Sequence, residues 1–99
     1  MEKVFKYNEL YDCYQSLLTE KERQYFEDYY KEDLSLQEIA ENCDVSRNAV
    51  HKMIQNVEKK LDYYESSLQL HERNLLLSKA LESSDLDDAK KYIKSSLDI

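Results

Sequence analysis

The sequence predicts an all-α fold, and three observations carry that expectation. The 99 residues include no Gly and no Pro, which removes tight hairpins, Gly-rich phosphate loops and sandwich-like all-β folds. Apolar residues recur at helical steps of three and four along most of the chain. Two stretches, "TEKE" at 19–22 and "SLQE" at 35–38, have the Ser/Thr-x-x-Glu form of a helix-capping box. A hydrophobic share of 41% with nine tyrosines is enough for a folded core, so wholesale disorder is excluded. A chain this short builds only a modest core, which a partner subunit would enlarge.

Each element follows in order. Tyr7, Leu10, Tyr11, Tyr14, Leu17 and Leu18 fall on one stripe of a first helix. The stripe ends at Thr19, whose hydroxyl and the Glu22 carboxyl start a second helix that buries Tyr25, Phe26, Tyr29 and Tyr30. Helical spacing makes these tyrosines core residues rather than a base-stacking platform. "KEDLS" interrupts the pattern, and Ser35 with Glu38 opens a short third helix facing inward with Leu36, Ile39, Ala40 and Cys43.

"NCD" is a turn, and Ser46 caps the fourth helix. That turn needs a left-handed backbone residue, which Asp44 tolerates better than most non-Gly residues. Ala40 permits two steeply crossing helices to touch, and Val45, Val50 and Ile54 close the small core. The unit is a helix-turn-helix. From Val50 a heptad seam overlays it: Val50, Ile54, Val57, Leu61, Tyr64, Leu68, His71 and Leu75 alternate at steps of four and three. The fourth helix is therefore expected to run to the late 70s, about 45 Å at 1.5 Å per residue. Beyond Leu61 the seam needs a cover, either the first helix or, as preferred here, the same helix of a second copy. Leu61, Tyr64, Leu68, His71 and Leu75 are the expected dimer seam. A last helix, capped by Ser84, is expected to turn Leu86, Ala89, Ile93 and Leu97 inward. Residues 1–60 read as the helix-turn-helix domain and 61–99 as a helical extension for dimerisation.

The formal net charge is −7. It is uneven: residues 1–45 hold 12 acids and 5 bases, residues 46–60 hold four bases against Glu58 alone, and residues 61–99 hold 8 acids and 5 bases. The single basic island lies on the fourth helix. Its candidate nucleic-acid contacts are Ser46, Arg47, Asn48, His51, Lys52, Gln55, Lys59 and Lys60. Arg47 has the donors for guanine and Asn48 the pair of groups for adenine, while Lys52, Lys59 and Lys60 suit phosphates. The competing reading pairs Arg47 and Lys52 with neighbouring acids.

Other chemistry is thin. Cys13 and Cys43 show no Cys-x-x-Cys spacing and fit small buried hydrophobes better than a disulfide or redox pair. His51 and His71 belong to no metal-ligand spacing, so no catalytic centre, metal or cofactor is expected. The longest purely apolar run, Leu75–Leu77, is too short for a membrane span or the core of a signal peptide, which points to the cytoplasm and no membrane insertion.

Residues 17 to 65 resemble region 4 of the σ70-type sigma factors, on "LT" with "ER" behind it, "SLQEIAE", "VSR" with Val50 three residues on, and the closing "KKL". Where promoter-reading sigma factors tend to carry further arginines, this chain has Asn48, Ala49 and His51, a thinner reading surface. Residues 7 to 75 resemble more closely the YlxM family of small bacterial helix-turn-helix proteins, through "LYDCYQSLLTEKERQYFEDYY", "SLQEIAE" and "VSRNAV". That resemblance implies a regulatory or accessory role in protein targeting by the signal recognition particle. Its partners would be nucleic acid, either DNA or signal recognition particle RNA, or the particle's GTPase Ffh, engaged by a homodimer. A DNA-binding transcriptional regulator and a homodimeric interaction module without nucleic acid are the alternatives.

Overall fold

The computed structural model describes residues 2–99, and among them it holds six α-helices and no strand. They are α1 (Glu2–Tyr14), α2 (Glu20–Tyr30), α3 (Leu36–Cys43), α4 (Arg47–Leu68), α5 (Leu70–Glu82) and α6 (Leu86–Leu97), with a 3-10 turn at Gln15–Leu17. The chain divides into two compact units, Met1–Tyr63 and Tyr64–Ile99.

The first unit is built as its periodicity dictates. Tyr7, Leu10, Tyr11, Tyr14 and Leu18 are buried against Tyr25, Phe26 and Tyr30 of α2 and Val50, Ile54, Val57 and Leu61 of α4. Phe26 is stacked between Tyr11 (ring centroids 4.3 Å apart) and Tyr30 (4.5 Å), so the tyrosine stripe is core. Each buried ring must still satisfy its hydroxyl. Tyr7 donates to Asp62 at 2.8 Å, Tyr11 to Glu27 and Tyr30 to Glu58. Burial, then these carboxylates, pushes all three phenols well above the usual tyrosine value. Leu17 departs from its stripe and is exposed, because α1 stops at Tyr14 and the tighter 3-10 turn shifts its phase.

Both capping boxes form. The Thr19 amide donates to Glu22 (2.8 Å) and the Glu22 amide to the Thr19 hydroxyl (3.1 Å). The Ser35 and Glu38 pair repeats the arrangement at 3.0 and 3.1 Å. Asp44 is left-handed (φ 55, ψ 48), and the Val45 amide donates to the Ala40 carbonyl at 3.1 Å, closing α3. Val45 itself is exposed rather than part of the core, since that turn points it to the surface; Ile39, Ala40, Val50 and Ile54 close the core without it.

In the second unit α5 packs along α6. The Arg73 guanidinium reaches the carbonyls of Ser96 (3.3 Å) and Ile99 (3.5 Å). Three expectations are corrected here. The heptad helix does not continue to the late 70s: α4 ends at Leu68, and Gln69 is left-handed (φ 52, ψ 34). The Glu65 carboxylate then accepts from the amides of His71 (3.1 Å) and Glu72 (3.2 Å), supplying the cap that a new helix needs. Periodicity records side-chain spacing, and one left-handed residue leaves it intact. The cap of α6 is Asp85 and not Ser84, with the Asp85 side chain accepting from the Asp87 amide at 2.9 Å. Leu86, Ile93 and Leu97 are exposed, whereas Ser96 is buried and Ala89 half-buried, so α6 meets α5 along a face rotated away from its leucines.

Candidate nucleic-acid interface

The helix-turn-helix presents α4 from its first turn. Ser46 caps it, its hydroxyl accepting from the Ala49 amide at 3.0 Å while its carbonyl accepts from Val50 at 3.2 Å. Ser46 is therefore used inside the fold, where it sets the start of α4 and so the positions of Arg47 and Asn48. Val50, Ile54, Val57 and Leu61 hold one side of α4 in the core. A turn of 100° per residue then places Asn48, Lys52, Gln55 and Lys59 in one line on the outer side, with His51 beside it. Arg47, Asn48, His51, Lys52, Gln55 and Lys59 are all exposed.

Ion pairing separates these cations from the rest of the unit. Lys3 pairs with Glu58, Lys6 with Asp62, Lys31 with Asp12 and Lys60 with Glu22. Arg23 is spent on the Leu18 and Gln15 carbonyls. Arg47, Lys52 and Lys59 have no ion-pair partner among the described residues, so the surface-pair reading of Arg47 and Lys52 is not what forms. Lys60 differs from Lys59 because one residue is 100° of turn. Its ammonium lies 2.6 Å from Glu22, a carboxylate only 7% exposed. Burial pushes the Glu22 carboxyl up, but Lys60 and the Thr19 amide and hydroxyl outweigh it and hold the carboxyl below the usual glutamate value. Lys60 thus serves the fold, and its charge is answered there.

Lys21 carries no signal of a site in its local sequence. It lines an open cleft of about 620 Å³ with Thr19, Gln24, Tyr25, Cys43 and Val45, beside the turn that leads into α4. No ion pair engages it among the described residues. Only the tertiary arrangement places it there, since it is 26 residues from Arg47 in sequence. Both cysteines are half-buried and neither is in a disulfide; burial, then the Cys43 thiol, raises the Tyr25 phenol.

The expected dimer seam splits. Leu61 is fully buried inside the first unit. In the second unit Tyr64 and His71 are half-buried, and Leu68 and Leu75 are exposed on either side of the Gln69 break. Among the described residues no group of three His, Cys, Asp or Glu could hold a metal ion, and no helix is long and apolar enough to cross a membrane.

Residues 1–98 match a family profile described as "Putative helix-turn-helix protein, YlxM / p13 like". The chain is 42% identical over 102 residues to a UPF0122 protein of Shouchella clausii, spanning 99% of this chain and 94% of that relative. It is 49% identical over 83 residues to UPF0122 proteins of Bacillus thuringiensis and Bacillus mycoides, spanning 80% of this chain and 76% of each relative.

Proposed function

We propose, since this chain belongs to the YlxM / p13-like family of helix-turn-helix proteins, that it is a nucleic-acid-contacting accessory protein of targeting by the signal recognition particle. One observation carries the contact: Arg47, Lys52 and Lys59 are exposed along α4 with no ion-pair partner among the described residues, while four other cations of the same unit are ion-paired. The targeting role rests on the resemblance to the YlxM family. Arg47 and Asn48 supply the base-edge donors and acceptor, Lys52 and Lys59 neutralise phosphates, and Gln55 and His51 complete the surface.

Three cations are few, and residues 1–45 repel a phosphate backbone. The surface is therefore read as working in two copies, so that a homodimer offers two α4 helices to one ligand. About two phosphate contacts per copy, Lys52 and Lys59, imply that the affinity of one copy falls roughly 12-fold between 50 and 200 mM salt. Fluorescence anisotropy of labelled signal recognition particle RNA and of random duplex DNA, at both salt concentrations, tests the reading. The expected result is tighter binding to the RNA, lost in the Arg47→Ala, Lys52→Ala variant with helicity intact. Binding that survives both substitutions overturns the site. Binding to neither nucleic acid turns the search to Ffh, against the acidic surface of residues 1–45. Preference for a particular duplex makes the protein a transcriptional regulator.

A further inference from the structure

The second unit has almost nothing inside it. Of residues 64–99 only Ala80 and Ser96 are buried, and neither is large. A segment below about 40 residues does not hold a fold by its own core without a disulfide, a metal or another subunit. The apolar residues that should form a core are present, but on the outside. Leu70, Leu77 and Leu81 of α5 stand at offsets of seven and eleven, and Leu86, Ile93 and Leu97 of α6 repeat the same offsets. That spacing gives each helix one aliphatic stripe.

The two stripes lie on the same side of the hairpin. Leu77, Ala80 and Leu81 line a groove of about 270 Å³ together with Ile93. Leu81 is 88% exposed, Leu97 75% and Leu86 68%. The six side chains leave roughly 500 Å² of aliphatic surface in water, already the size of the largest patch an ordinary monomer exposes and over half of the ~800 Å² each partner buries in a stable interface.

We infer that the α5–α6 hairpin is a homodimerisation element, in which this leucine face packs on the same face of a second copy to make a four-helix bundle. A two-fold pairing needs a self-complementary patch, and two helices with the same stripe spacing supply one. Charge favours a second copy at this end of the chain. Residues 64–99 carry seven acids and five bases, nearly balanced, whereas residues 1–45 carry 12 and 5 and would repel their own kind. The face is not the heptad seam: Leu75 precedes Leu77 by two residues, 200° of turn, and lies on the other side of α5. The inference rests on the two-copy part of the proposed function and not on nucleic-acid binding.

Sedimentation equilibrium of the full chain, without nucleic acid, tests it. The wild type is expected at the two-chain mass at about 10 μM, and Leu81→Asp with Ile93→Asp is expected to weaken association by about 100-fold or more. Leu75→Asp is expected to keep the two-chain mass. A wild-type sample mixed from isotope-labelled and unlabelled chains is expected to show contacts between copies at the Leu81 and Ile93 methyls, which decides the matter if the double variant fails to fold. A one-chain mass for the wild type at about 100 μM overturns the inference. So does a folded double variant that stays dimeric, or a dimer broken by Leu75→Asp and not by the pair. RNA binding by a wild type of one-chain mass would remove the dimer and leave the nucleic-acid reading standing.

Discussion

Residues 2–63 and residues 64–99 use the same amphipathic helical code with opposite outcomes. In the first unit α1, α2, α3 and α4 surround one another, and Phe26, Ile39, Val50, Val57 and Leu61 reach zero exposure. In the second, α5 packs along α6, and leucines with equally good helical spacing are exposed. An apolar stripe becomes a core when enough other stripes meet it. Two helices can cover only a narrow strip of each other, here one buried residue each, Ala80 and Ser96, and the remainder waits for another surface.

Two seam positions one heptad apart carry the largest expected difference between the units. Leu61→Ala empties a fully buried site and is expected to cost about 2–5 kcal/mol in urea unfolding. Leu68→Ala, on the exposed side of the same pattern, is expected to cost less than about 1 kcal/mol. Equal losses would mean that Leu68 is buried in solution and that the two units differ less than their exposures indicate.

The Glu22–Lys60 pair sharpens the contrast through charge. Lys60→Ala leaves a buried carboxylate with only Thr19 to answer it, and is expected to cost about 1–2 kcal/mol at neutral pH, discounted because Lys60 is itself half exposed. The sign of the pH dependence follows from the depressed Glu22 carboxyl. Its stabilisation is complete above the ordinary glutamate value and is lost as pH falls through the lower folded value. Thermal melts from pH 6 down to about pH 3 should therefore show the wild type losing more stability than Lys60→Ala over that acid range. Parallel losses would mean the ion pair contributes nothing.

The smallest expected effects lie at two left-handed residues, one in each unit. Asp44→Gly is expected to gain a few tenths of a kcal/mol, because Asp already tolerates that backbone. Gln69→Gly is expected to gain about 1 kcal/mol, since Gln has no such tolerance, measured by chemical denaturation. A loss at Gln69 would show that the α4–α5 break is held by the glutamine side chain rather than by its backbone.

Much of the candidate site was legible in the chain. Ser46, Arg47 and the "VSR" signal locate the start of α4, and the spacing of Val50, Ile54 and Val57 identifies its buried side, hence its outer one. Lys60 was not separable from Lys59 by residue type, because what distinguishes them is a buried glutamate 38 residues away. Lys21 gave no signal, since its place beside the turn depends on how α2 crosses α3.

The all-α class, both capping boxes, the left-handed Asp44 and the tyrosine core of the first unit are all written in the order of the residues. Those features depend on steric and hydrogen-bonding preferences within a few residues, or on stripes whose partners lie close along the chain. Where the heptad helix breaks, which lysines are consumed in ion pairs and which leucines meet water emerge only once the chain has folded. Each of these depends on groups distant in sequence: the Glu65 carboxylate turned to cap α5, Glu22 beneath Lys60, and a hairpin with too few neighbours to bury both of its apolar stripes.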